Sequence, residues 1–270
     1  MDETLKRPRV RMGEQVHTGG PPPLTRHGIS IVLPAWNEES LIADTVAKVV
    51  NTLSVMAPNF EVIVVNDGSR DRTGEILDAL AARDRRIRVV HHEVNRGYGA
   101  AVLSGFDAAA KELTFFMDSD GQFDINDIAL LIEPWERREA DVILGYRKHR
   151  QDPPMRKMNA WAWKRLVSML FHLRVRDIDC AFKLMPTKMV QIADVHAQGA
   201  MVNTELLAKF VRMRVTIKQV PVGHYPRTAG KATGANLGVI LHAFRELFKL
   251  AGKLRSWYPP PDFHYVRQNV

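Results

Sequence analysis

The chain reads as an α/β fold, a mostly parallel twisted sheet with helices on both faces and amphipathic helices toward the C-terminus. Three observations predict it. Short β-branched and apolar runs alternate with segments of helical spacing from Ile29 to Leu144, the pattern of parallel strands joined by crossover helices. Several of those runs stop abruptly at Asn, Asp, Gly or Ser, as strands do at the loop edge of an open sheet. Finally, 270 residues of ordinary apolar and charged content, 46% and 25%, suffice for one large domain, two small ones being the weaker account.

In order along the chain, Met1 to Gly28 is basic, contains Gly19-Gly20-Pro21-Pro22-Pro23 and lacks periodicity. A flexible tail is expected there. Strands are expected over Ile29 to Leu33, Phe60 to Val65, Ile87 to Val90, Leu113 to Met117 and Asp141 to Leu144. Helices are expected over Leu41 to Met56, Asp71 to Arg83, Gly97 to Lys111 and Ile125 to Arg138. After Gly145 the alternation weakens into a basic loop, a Trp-bearing helix, a strand-like Cys180 to Met185, a helix near Asn203 to Arg212 and the run Val215 to Val222. These patterns divide the chain into the tail (1–28), a folded unit (29–236) and an amphipathic helix with a Pro-rich end (237–270). Within the folded unit, 29–146 reads as a nucleotide-binding half and 147–236 as a second half packed on it.

A formal net charge of +8 calls for an anionic partner: nucleic acid, an acidic membrane face or a phosphorylated small molecule. No helix-turn-helix, RRM or zinc-finger pattern is present, so nucleic acid is not the expected partner. Cys180 is the single cysteine, which excludes an intramolecular disulfide and a Cys-rich zinc site and fits a reducing cytoplasm. No apolar run approaches the ~20 residues that span a bilayer, and the N-terminus lacks the apolar stretch of a signal peptide.

Ligands of open parallel sheets bind beyond the carboxyl ends of the strands. Four strands here end in polar turns: Pro34-Ala35-Trp36-Asn37-Glu38-Glu39, Asn66-Asp67-Gly68-Ser69, His91-His92-Glu93 and Asp118-Ser119-Asp120. Any one of them is ordinary turn chemistry. Three acidic strand ends on one edge are not required by packing, whereas a cation or a sugar nucleotide would require them. Asp118 and Asp120 can offer oxygens to one hard divalent cation that keeps waters and takes its other ligands from phosphates. Gln122 can add an amide oxygen. The alternative is an acidic turn with an N-cap into the next helix. No P-loop motif occurs, and Asn95-Arg96-Gly97-Tyr98-Gly99-Ala100 can help hold an anion only through backbone amides at a helix start.

The strings PAWNEE, VNDGSRDRT, NRGYGAA and MDSDGQ, in that order and spacing, resemble the GT-A glycosyltransferases of family 2. The resemblance covers Ile29 to about Tyr146. Further on, Gly145-Tyr146-Arg147, DIDCAFKLM from Asp177 and HYPRTAGKATG from His224 are similar to the polyprenyl-phosphate branch, the dolichol-phosphate mannose synthase-like enzymes. The resemblance implies an inverting hexosyltransferase using a nucleotide sugar of the GDP-mannose or UDP-glucose type. It implies that Pro34, Trp36 and Glu38 line the nucleoside pocket, that Asp67 binds the base, and that Asp118, Asp120 and Gln122 hold Mg²⁺ or Mn²⁺ on the donor pyrophosphate. Asn66 stands where the common motif has Asp, which removes one charge at the outer position.

A lipid phosphate acceptor is already anionic, so it needs positioning rather than a general base. Arg147, Arg156, Arg227 and Lys231 are the candidate cationic clamps, Arg147 and Arg156 toward the acceptor phosphate and Arg227 and Lys231 in a Gly-bearing loop that can fold over the donor. A glycan or protein hydroxyl acceptor would instead need a base, for which Glu205 and Asp179 are the candidates. Glu205 also suits a helix-start role. His91, His92 and His224 lack ligand spacing and read as ordinary loop residues.

Leu237 to Arg255 places Leu237, Ile240, Phe244, Leu247, Phe248, Ala251 and Leu254 on one side and His242, Arg245, Lys249 and Lys253 opposite. This suits the headgroup region of an anionic bilayer, or equally a helix docked on the protein core. Trp161, Trp163, Leu166, Met169, Leu170 and Phe171, flanked by Arg156, Lys157, Lys164 and Arg165, form a second such stretch. The expectation is peripheral attachment at the cytoplasmic face of a membrane, or delivery to it by an integral membrane partner.

Overall fold

The computed structural model describes residues 22–148, 165–197, 199, 201–226, 237–261 and 263. Strands β1 (Ile29–Ala35), β2 (Phe60–Asn66), β3 (Ile87–His91) and β4 (Leu113–Met117) are mutually parallel. They are joined by β5 (Val142–Arg147), β6 (Phe182–Pro186) and β7 (Ile217–Val222) in a seven-stranded sheet of order β3-β2-β1-β4-β6-β5-β7. β6 pairs antiparallel with both β4 and β5, and β7 runs parallel to β5. Thus β6 alone opposes the common direction, and the sheet is mostly parallel as its alternating pattern predicts.

The helices are α1 (Ile42–Met56), α2 (Thr73–Arg83), α3 (Tyr98–Ala108), α4 (Ala129–Glu136), α6 (Thr187–Ala193), α7 (Met201–Arg212) and α8 (Leu237–Arg255). The described part of α5 covers residues 165–171. Period-two alternation along β1 sends Ile29, Ile31 and Leu33 into a core with Val46 and Val49 of α1, Leu77 of α2 and Leu131 of α4. Val32 points the other way, into a core with Val102 and Phe106 of α3, Val167 of α5, Met189 of α6, Leu206 of α7 and Leu247 of α8. Both faces are therefore covered, which is why β1 and β2 are buried along their whole length.

Three features bear on the site. The two halves expected on either side of residue 146 share one sheet, because β6 inserts between β4 and β5. The expected helix over Ile125 to Arg138 is a 3-10 turn (Ile125–Ile128) followed by α4; Asp124 caps the turn by accepting from the Asn126 N–H at 3.0 Å. α8 is docked on the core through Leu247, Leu250 and Leu254, while Phe244 and Phe248 of its expected apolar side are exposed.

Gly105 lets α3 lie close on β1, since a Cβ there would stand 2.2 Å from Val32 Cγ1. Gly68, at φ +63°, passes beneath the β3–α3 loop, where a Cβ would stand 2.4 Å from the Asn95 nitrogen.

Candidate active site

Because β1 to β4 are parallel, their polar ends emerge on one edge. There they border a cleft of about 580 Å³ lined by Pro34, Trp36, Glu38, Asp67, Tyr98, Asp118 and Asp120, among others. Six of the residues expected from sequence to bind the donor or its metal thus meet in one place: Pro34, Trp36, Glu38, Asp67, Asp118 and Asp120. Trp36 is 52% exposed on this cleft, an aromatic surface available to a flat ligand.

The loops of the cleft are built by hydrogen bonds between motifs. The Asn37 N–H donates to Ser69 Oγ at 3.0 Å, the Glu38 N–H to Thr73 Oγ1 at 2.9 Å, and the Arg70 N–H to Asn37 Oδ1 at 2.8 Å. The β2–α2 loop therefore clips the β1–α1 loop into shape. Asp71 anchors this arrangement by accepting from Thr73 and from the Glu39 N–H. Burial works against its charge, yet those hydrogen bonds hold its carboxyl below the ordinary value.

Asp67 is buried, and both of its carboxylate oxygens carry hydrogen bonds. His92 Nδ1 lies 2.6 Å from its Oδ1, which also accepts from the Arg96 N–H at 2.9 Å; Oδ2 accepts from the Gly97 N–H at 2.8 Å. It thus shapes the β3–α3 loop that forms one wall of the cleft. Sequence reasoning missed His92, whose other ring nitrogen meets Ser104 Oγ at 2.8 Å. Asn66 is absorbed by the loop too: its amide meets His91 Nδ1 at 3.1 Å and its carbonyl oxygen accepts from the Ser69 N–H at 3.2 Å.

At the end of β4, Ser119 donates to the Pro34 carbonyl at 2.7 Å and its own carbonyl accepts from Thr45. These bonds pin the acidic turn to β1 and α1. Burial, reinforced by the nearby charge of Asp120, pushes the Asp118 carboxyl up to about 7, against the pull of the Tyr98 hydroxyl, Lys183 and Arg147. Two crowded carboxylates carrying that strain are a donor set a cation relieves. Among the described residues no group of three or more His, Cys, Asp or Glu side chains is arranged to hold a metal. Two carboxylates suit a hard cation that takes its other ligands from waters and phosphate oxygens.

Gln122, implied as a third metal ligand, has its side chain tied to the chain after β7. Its Nε2 donates to the Tyr225 carbonyl at 3.0 Å, and its backbone carbonyl accepts from the Tyr225 N–H at 2.8 Å. The chain after β7 is thereby stitched to the acidic turn, with His224 packed on Phe123 at 5.1 Å between ring centroids.

Arg147 makes a forked pair with Asp177, Nε to Oδ2 at 2.7 Å and Nη2 to Oδ1 at 2.8 Å. Burial opposes its charge, and the Asp177 hydrogen bonds more than restore it, raising the guanidinium further. Glu205 is buried, paired with Lys209 at 2.7 Å, and accepts from the N–H groups of His196 and Ala197 at 3.0 and 2.6 Å. It fastens the α6–α7 connection. Asp179 is exposed, and its charge is felt at Tyr98, Arg147 and Lys183. Arg156, Arg227, Lys231, Trp161 and Trp163 lie outside the described residues.

The profile of Glycosyl transferase family 2 matches residues 30–210. The chain is 33% identical to glycosyltransferase AglD of Haloferax volcanii over 207 residues, 74% of this chain and 33% of that protein. It is 31% identical to dodecaprenyl-phosphate galacturonate synthase of Rhizobium johnstonii over 165 residues, 60% of this chain and 49% of that one. The chain thus spans between a third and a half of the length of these two relatives. Among solved structures, glucosyl-3-phosphoglycerate synthase of Mycobacterium tuberculosis, crystallised with Mn²⁺ and UDP-glucose, superposes with a TM-score of 0.63 at 21% identity, covering 87% of this chain and 81% of that one. That likeness gives the GT-A fold.

Proposed function

Because the chain belongs to glycosyl transferase family 2, we propose that it transfers a hexose from a nucleotide sugar of the GDP-mannose or UDP-glucose type to a polyprenyl phosphate, with inversion. The observation that carries this reading is the pair Asp118 and Asp120 at the carboxyl end of β4, in one cleft with Trp36 and Asp67. Asp118 and Asp120 are the residues that would hold Mg²⁺ or Mn²⁺. Bound there, the cation supplies charge neutralisation to the leaving nucleoside diphosphate.

The protein's own groups do the rest. Trp36 offers a face to the nucleoside, and the loops held by Asp67 and Asp71 shape the walls of the pocket. Asp67 serves the base contact through the loop it shapes, since its own oxygens are engaged. Arg147 and Arg156 are proposed to steer the acceptor phosphate, Arg147 from its Asp177-braced position. Arg227 and Lys231 are proposed to close over the donor. The acceptor arrives ionised, so no side chain has to remove a proton from it.

One observation favours a second reading, a hydroxyl acceptor: Asp179 is exposed, its charge is felt at Tyr98, Arg147 and Lys183, and it has the chemistry of a base. Glu205 is poorly suited to that task, its carboxylate being spent on Lys209 and two backbone amides. The test offers polyprenyl phosphate and radiolabelled nucleotide sugars to the protein with Mn²⁺ and follows label into chloroform. A lipid product that survives Asp179→Asn supports the first reading. Label confined to water-soluble acceptors and lost in Asp179→Asn overturns it.

No helix among the described residues is long and apolar enough to cross a membrane. Peripheral attachment at the cytoplasmic face, through exposed Phe244 and Phe248 on the basic helix α8 or through a membrane partner, is proposed as the route to a lipid acceptor.

A further inference from the structure

α3 is fastened to the ends of β2 and β3 at two points, and one histidine serves both. His92, just beyond β3, is buried, and its backbone N–H donates to the Asn66 carbonyl at 2.9 Å. Its Nδ1 meets Asp67 Oδ1 at 2.6 Å, and its Nε2 meets Ser104 Oγ at 2.8 Å. Asp67 in turn accepts from the Arg96 and Gly97 N–H groups at 2.9 and 2.8 Å. Gly97 caps α3 and Ser104 lies within it, two helical turns further on. The two positions therefore face the same side of the helix, about 10 Å apart along its axis.

The chemistry of the partners assigns each end of the ring. Both Asp67 oxygens accept N–H groups, and an ionised carboxylate has no proton to give, so Nδ1 carries the proton between them. Nε2 faces a hydroxyl, which can donate or accept and so satisfies the ring whether it is neutral or charged. The N–H groups of Arg96 and Gly97 are likewise turned onto Asp67, so the anion held at this helix start is the protein's own carboxylate. The clamped end of α3 is working surface. Gly97 and Tyr98 line the cleft with Asp67 and Asp118, and the Tyr98 hydroxyl donates to Asp118 Oδ1 at 3.0 Å. Any shift of α3 moves the nucleoside wall and that hydroxyl together.

We propose that His92 is a positioning residue of the donor site: through Asp67 and Ser104 it fixes α3, and with it the wall against which the nucleotide binds. The proposal rests on the nucleotide-sugar reading above. It gives Ser104, which is not among the residues lining the cleft, a part in donor affinity.

The test is binding of UDP and GDP to the full chain with Mn²⁺ by isothermal titration calorimetry, alongside donor KM and kcat for transfer to polyprenyl phosphate. Ser104→Ala removes the far point and leaves the Asp67 contacts in place. Nucleotide affinity is expected to fall roughly 3- to 10-fold, the scale of one hydrogen bond. Donor KM is expected to rise by the same factor, with kcat at saturating donor little changed. His92→Asn keeps an amide N–H within reach of Asp67 and loses Ser104, so it is expected to match Ser104→Ala. Their double variant is expected to add nothing further, because both cut one link. His92→Leu removes both points and is expected to lose roughly 10-fold or more, which His92→Asn recovers in part. Should His92→Leu fail to fold, Ser104→Ala and His92→Asn carry the same test. Wild-type affinity in Ser104→Ala and His92→Asn, losses that add in their double variant, or a fall in kcat with donor KM unchanged overturns the positioning role while leaving the nucleotide reading intact. No binding of either nucleotide by the wild-type chain overturns both.

Discussion

Asp67 is the residue whose placement most changes its meaning. The family resemblance implies direct contact with a base; the structure has its two oxygens meet His92 and the N–H groups of Arg96 and Gly97. Asp67→Asn would turn an amide N–H toward one of those donors. The expected cost is about 1–3 kcal/mol of stability, the usual penalty for a buried group left unsatisfied, read from urea unfolding, together with weaker nucleotide binding. Unchanged stability with weakened nucleotide binding would instead return Asp67 to a direct ligand role. At this scale the carboxylates were legible because an acidic cluster that ends an apolar strand is a local pattern. Tyr98, Asn203 and Lys183 were not, because their contacts, Tyr98 with Asp118 and Asn203 with Lys183, join positions far apart in the chain. One signal was available: Lys183 interrupts the apolar run Ala181-Phe182-Lys183-Leu184-Met185, and a charge in such a strand must find a buried partner.

Elements are held in register by a few side chains whose loss can be measured. Glu61 on β2 accepts from Ser30 Oγ of β1 at 2.6 Å, from the Ala110 N–H after α3 at 2.9 Å and from Arg88 of β3 at 2.9 Å. Burial alone would raise its carboxyl, but these hydrogen bonds and the Arg88 charge hold it below the ordinary 4.5. A depressed acid contributes stability that is present above its unfolded value and lost as pH falls through the folded one. The protein should therefore lose stability below about pH 4.5, and Glu61→Gln should flatten that part of the profile in thermal melts; an unchanged acid limb would contradict the assignment. Gly105→Ala forces a methyl onto Val32 and should cost about 1–3 kcal/mol, the range for overpacking a close contact; calorimetry showing no loss would mean α3 can shift on β1. Strand and helix alternation was readable from periodicity, including β1 to β4 almost residue for residue. The direction of β6 was not, since composition carries no arrow, and the amphipathic wheel of α8 did not tell which apolar residues a neighbouring helix would cover.

For the molecule as a whole, one continuous sheet places the acidic turn of β4 beside β6, so residues from both halves of the sequence converge on Asp118. The fold class and most of the donor side of the cleft were legible because a parallel sheet collects its strand ends on one edge. The second half was legible only in outline, because the strand–helix alternation weakens after Gly145. The central claim is that Asp118 and Asp120 form the metal-dependent centre of a transferase. The most direct measurement is the initial rate of label transfer from nucleotide sugar to polyprenyl phosphate, compared for the wild-type chain with Mn²⁺, the same chain with EDTA, and Asp120→Asn with Mn²⁺. The account predicts chloroform-extractable product in the first and a loss of roughly 100-fold or more in the other two, the scale at which removing charge stabilisation from a reacting centre is felt. Equal rates in all three would contradict it.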